Sequence, residues 1–114
     1  MIWVEKAPAR LRALQFRVED TVYQAAEDGF FIGEITISAG AGAGRIHCRI
    51  DDVDPPLDGF GYTWVQMIQD GGGPFLNASH FCMPVKRGMY YKGMYLLVFG
   101  TPTITRDFYW QPHR

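Results

Sequence analysis

Apolar and polar positions alternate with a period of two through much of this chain, most cleanly over Arg45-Ile46-His47-Cys48-Arg49-Ile50. Successive side chains on a strand point to opposite faces, so Ile46, Cys48 and Ile50 are expected to face a core. Arg45, His47 and Arg49 are then expected to face solvent or a neighbouring subunit. The stretch Phe30 to Ser38, rich in aromatic and β-branched residues, predicts a strand with Phe31, Ile35 and Ile37 on one face and Glu34 and Thr36 on the other. A further strand is predicted over Phe60 to Gln69, where Tyr62, Trp64 and Gln66 alternate with Thr63, Val65 and Met67. Shorter strands are predicted within Phe75 to Met83 and Met89 to Tyr91, and a last one over Thr103 to Trp110. The run Met94-Tyr95-Leu96-Leu97-Val98-Phe99 has no polar face, which predicts a strand buried on both sides, inside a sandwich or against another subunit.

Breaks separate these segments. Glu27-Asp28-Gly29 reads as a turn in which Gly29 takes a positive φ, Ala39 to Gly44 as a small-residue loop, and Asp51 to Gly59 as an exposed acidic loop. Asp70 to Pro74, Pro84 to Gly88 and Gly93 are further breaks. Ala7 to Leu14 contains good helix formers, but Pro8 and the Phe16-Arg17-Val18 alternation favour a short turn leading into a strand, so residues 1–20 are read as a lead-in and 21–114 as the domain. Strands about every eight to twelve residues, with turns between them and no helices, describe an all-β fold: a single-domain antiparallel β-sandwich of the jelly-roll type.

Composition agrees with one folded domain. The 114 residues are 47% hydrophobic and 20% charged, far from the signature of disorder. Eleven basic against twelve acidic residues leave a net charge of -1, so no strong field gathers phosphate backbones and nucleic acid is not expected as a partner. No apolar run is long enough for a membrane-spanning helix, and Met1 to Arg10 lacks a signal core, so neither membrane insertion nor signal-peptide export is expected. Cys48 and Cys82 are too few for a disulfide framework or a zinc motif and are expected as buried thiols.

Candidate chemistry is sparse. Asp51, Asp52, Asp54 and Asp58 supply the oxygens a Ca²⁺ ion takes, but without the glycine and distal Glu of a calcium loop they read as solvated, and no metal is expected. His47 and Cys48, as strand neighbours, point to opposite faces. His80 and Cys82 share a face without an orienting third group or oxyanion donors, so neither catalysis nor a cofactor is expected. The glycine-rich pieces lack the helix and lysine of a phosphate loop, and Asn77-Ala78-Ser79, a glycosylation acceptor by pattern, is discounted without a secretory signal. Aromatic residues, at 15%, exceed what the core of so short a chain requires. Among them Tyr62, Trp64, Tyr90 and Tyr91 are the candidates for stacking on a ligand. Tyr95, Leu97, Phe99, Tyr109 and Trp110 are the candidates for contact between subunits.

Three segments, Ala25 to Ile35 (AAEDGFFIGEI), Phe81 to Gly93 (FCMPVKRGMYYKG) and Phe108 to Pro112 (FYWQP), occur in an order that resembles the small jelly-roll domains of tailed bacteriophages, found at fibre or spike tips and on virion surfaces. The resemblance implies a homotrimer on the virion, assembled in the bacterial cytoplasm, whose partners are other virion proteins and a host-surface glycan. A fibre tip normally follows a long shaft, whereas only about twenty lead-in residues stand here, which keeps a virion decoration or connector protein as the alternative. A carbohydrate-binding module is a third reading.

Overall fold

The alternating segments fold as strands because each has one apolar face to bury, and pairing satisfies the backbone groups that burial removes from water. The structure, a computed structural model, describes residues 14–57, 61–70 and 77–113. Within them lie β1 (Gln15–Arg17), β2 (Tyr23–Gln24), β3 (Gly29–Ala39), β4 (Ala41–Asp51), β5 (Gly61–Asp70), β6 (Asn77–Val85), β7 (Tyr90–Gly100) and β8 (Thr103–Pro112). They form two four-stranded antiparallel sheets, ordered β1-β8-β3-β6 and β2-β7-β4-β5. The pairs nest, β4 with β5, β3 with β6, β2 with β7 and β1 with β8, so the chain is one long hairpin rolled into two layers. This is the jelly-roll sandwich that the alternation predicted.

The inward rows of both sheets meet in one core containing Phe31, Ile35, Ile46, Cys48, Ile50, Phe81, Val85, Tyr91, Phe108 and Trp110. Phe31 stacks on Phe108 at 5.7 Å between ring centroids, and Tyr91 on Trp110 at 4.9 Å. Each fully buried large side chain of this kind contributes about 1.5–3 kcal/mol through removal of its apolar surface from water.

Several breaks are placed differently from the sequence reading. The sandwich starts at Gln15, inside the span taken as lead-in, because Phe16 pairs opposite Tyr109 on β8; the earlier lead-in residues lie outside the described ones. The Ala39 to Gly44 segment is not a loop: the chain switches sheets at Gly40 (φ 83°) and resumes as β4 at Ala41. Small residues are needed there for close approach, since a Cβ on Gly44 would sit 2.4 Å from Ile104 Cδ1 and one on Gly42 2.5 Å from the Phe99 carbonyl oxygen. Gly93 does not break β7. A Cβ there would lie 2.6 Å from two ring atoms of Phe108, so the glycine makes room for a core ring. Gly29, likewise, is not a positive-φ turn residue but the start of β3, pressed against Trp110. Pro84, read as part of a turn, belongs to β6, an edge strand, where a missing backbone donor is tolerated.

The apolar run of β7 is also corrected. Leu96, Leu97, Val98 and Phe99 are 49, 49, 38 and 55% exposed, not buried within the sandwich. Across the ladder Leu96 stands opposite Arg45, but Leu97 and Phe99 stand opposite Gly44 and Ala43, with a register shift between them, so small residues offer the end of the strand little to pack on. On the other side β2 spans only two residues and leaves the strand behind at Tyr91.

Candidate functional site

The register of β5, β4 and β7 assembles a group of polar and aromatic side chains on the outer face of their sheet. Rows run Gln66, Arg45, Leu96; then Trp64, His47, Met94; then Tyr62, Arg49, Lys92. The outward residues of β4 were expected at a solvent or subunit face, and here they meet the alternate residues of β5 across one ladder. Contacts form along the diagonals as well as straight across, within reach of long side chains. Arg45 donates from Nε and Nη2 to Gln66 Oε1 at 3.0 and 2.7 Å, and its guanidinium lies 4.4 Å from the centre of the Trp64 ring. His47 Nδ1 lies 2.7 Å from the Tyr62 hydroxyl, and Arg49 stands 5.8 Å from the Tyr62 ring centre.

The electrostatics of this face are one-sided. Among the described residues the margin carries a single ion pair, Lys92 with Asp20 at 3.9 Å, and neither Arg45 nor Arg49 meets a carboxylate. Arg49 Nε is buried and has no hydrogen-bond acceptor. His47 titrates below its ordinary value because partial burial disfavours the charged ring and because Arg45 and Arg49 repel a proton. Beside them a shallow depression of about 280 Å³ is lined by His47, Arg49, Tyr62, Met94, Tyr95 and Leu96, with Asp20, the partner of Lys92, as its one carboxylate among the described residues. Tyr62 and Trp64 remain 41 and 47% exposed. The arrangement offers exposed rings for stacking, fixed cationic donors with unused N–H groups, and a neutral imidazole.

The other sequence candidates are dispersed. Tyr91 is buried, receives a hydrogen bond from Arg17 Nε at 3.0 Å and stacks in the core, so it is not a ligand-facing residue. Tyr90 is half-buried at the start of β7 opposite Gln24 and Asp51. Trp110 belongs to the core and is unavailable to a second subunit. Tyr95 packs beneath the Arg106 guanidinium, 4.0 Å from its ring centre, whereas Tyr109 lies on the outer face of the other sheet beside Phe16, ring centroids 5.4 Å apart. Leu97 and Phe99 are the two exposed members of that set, opposite Gly44 and Ala43 on either side of the register shift.

The thiols and acids are settled by their surroundings. Cys48 faces the core, where burial pushes its thiol up to about 12, and His47 points the other way. Cys82, expected to be buried, is exposed, because its row of β6 looks away from the opposing sheet. Asp51, expected in a solvated loop, is 6% exposed and accepts the N–H groups of Asp52 and Leu57 at 2.8 and 3.2 Å, tying down the segment that follows β4. No group of three or more His, Cys, Asp or Glu suited to a metal ion occurs among the described residues, and Asp58 lies outside them. Gln66 was legible only as one position in an alternation; its role in fixing Arg45 needs the register.

Comparison with known proteins gave no match to a family model, to a curated protein or to a solved structure.

Proposed function

We propose that this domain is a recognition module that binds a glycan through the outer face of β7, β4 and β5, with a preference for sugars bearing carboxylates. The observation that carries the reading is the meeting of exposed rings with guanidinium groups that face no carboxylate on adjacent strands: Trp64 under Arg45, and Tyr62 beside Arg49. Rings with an apolar face suit the C–H face of a pyranose, and a guanidinium carries five N–H donors, of which Arg45 gives only two to Gln66. Its remaining donors suit a carboxylate, and a charge-assisted hydrogen bond of that kind contributes about 1.5–3 kcal/mol. The resemblance of the three quoted segments to phage surface domains supplies a setting, the surface of a virion, where such a module would meet host polysaccharide.

Immobilised acidic and neutral polysaccharides of matched backbone test this directly. Binding is expected to the acidic form, weakened at least tenfold by Trp64→Ala or Arg49→Gln. Phe16→Ala, on the other sheet, is expected to leave it unchanged. Absence of binding to every glycan, with the protein folded, would remove the reading and leave the assembly role of a decoration or connector subunit.

A further inference from the structure

An edge strand presents unpaired backbone N–H and C=O groups, and proteins usually guard it with charge, a proline or a covering segment. Here β2 covers β7 only at Tyr90 and Tyr91, and β1 covers β8 only from Phe108 to Trp110. The link between β1 and β2 closes one step more: Asp20 donates its N–H to the Gly93 carbonyl at 2.7 Å, and Glu19 meets Arg106 at 2.8 Å. Beyond that point no described residue pairs with β7 from Met94 to Gly100 on this side, or with β8 from Thr103 to Thr105. The chain from Gly93 to Thr105 contains no charged residue, and four consecutive large apolar side chains, Leu96 to Phe99, stand exposed along it. Among the described residues no charge and no covering segment guards this edge where the strand is most apolar.

We infer that two copies of this chain join along this flank, β7 against β7 in antiparallel register, so that β5, β4 and β7 of each continue into one sheet. A second copy is the occupant that the chemistry selects. Under a twofold axis the apolar run meets itself, whereas a charged segment would find no counter-charge between Gly93 and Thr105. The four apolar side chains expose roughly 350 Å², within the range of the largest patches on monomeric surfaces. That is below the roughly 600 Å² per partner at which specific interfaces begin, so the pairing is a weak one held by the strand ladder as well as by apolar contact. The register shift near Val98 interrupts a straight ladder, which centres the pairing on Leu96 and Leu97. Because the axis stands perpendicular to the sheet, both outer faces would look the same way.

Light scattering on the full chain at about 100 µM, a concentration that favours the associated state, is expected to give twice the 13.0 kDa chain mass. Leu97→Lys is expected to return the mass of one chain while the circular dichroism spectrum stays that of strands. Should that variant not fold, cross-linking decides: in a Cys82→Ser background, Leu96→Cys is expected to form an intermolecular disulfide under mild oxidation, and Ile68→Cys on β5, at the far edge, is not. A single-chain mass at every concentration, a mass of three chains as the phage resemblance implies, or equal cross-linking at both positions would each overturn the inference. None of these readouts depends on glycan binding, so the pairing and the ligand proposal stand or fall separately.

Discussion

Gly93→Ala is the sharpest single test of the packing that carries the outer face. An added Cβ would lie 2.6 Å from Cδ1 and Cε1 of Phe108 and 3.0 Å from its Cγ, all inside contact distance. Phe108 cannot retreat, because it is 2% exposed and stacked on Phe31 with an interplanar angle of 16°. Overpacking of this kind costs about 1–3 kcal/mol. Alanine offsets roughly 0.5–1 kcal/mol of it by restricting the unfolded chain. The net loss is at most about 2.5 kcal/mol and centres on about 1 kcal/mol, which at roughly 3–6 °C per kcal/mol for a domain of this size lowers Tm by about 3–6 °C. Thermal unfolding followed by near-ultraviolet circular dichroism measures it. Phe108→Leu opens space at the same place, so the double variant is expected to lose at least about 0.5 kcal/mol less than the two single losses combined. A Tm raised by Gly93→Ala, or strict additivity in the cycle, would refute the placement of Gly93 beneath that ring.

Three further outcomes follow from the same coordinates. Cys82 is expected to react with iodoacetamide at pH 8 in the folded protein while Cys48, whose thiol burial raises to about 12, stays unmodified until denaturant is added; equal labelling by peptide mass would contradict this. Asp51→Ala is expected to cost about 1–3 kcal/mol in urea unfolding, because the amides of Asp52 and Leu57 lose their acceptor, and a midpoint equal to wild type would exclude that role. For His47 the folded value lies below the unfolded 6.5, so the unfolded chain binds the proton first; stability is full above about pH 6.5 and declines as pH falls toward the lower folded value. The fall in Tm between pH 7.5 and 5.5 is therefore expected to be smaller in His47→Gln, and identical slopes would argue against the depressed titration.

Period-two alternation was enough to find β3, β4, β5 and β8, the inward residues Phe31, Ile35, Ile46, Cys48 and Ile50, and the two-layer class, because burial of one face is a local demand written residue by residue, whereas it misses the short β1 and β2 and divides β7 into two pieces. The outward placement of Arg45, His47, Arg49, Tyr62 and Trp64 was legible for the same reason. Glycine was the least legible signal. Gly29, Gly44 and Gly93 resemble turn residues, yet each is small because a distant ring or methyl group occupies the space above it, and that neighbour comes from another strand. Tyr91 and Trp110, chosen as surface aromatics, are core residues because the two sheets bring them together, ring on ring. The face on which Arg45 meets Trp64 and Gln66 exists only through the pairing of β4 with β5, and the open flank of β7 only through the shortness of β2. Which faces are apolar is a property of each strand alone; which strands are neighbours, and where a neighbour ends, is set by how the rolled hairpin closes, and that closure is a property of the whole chain.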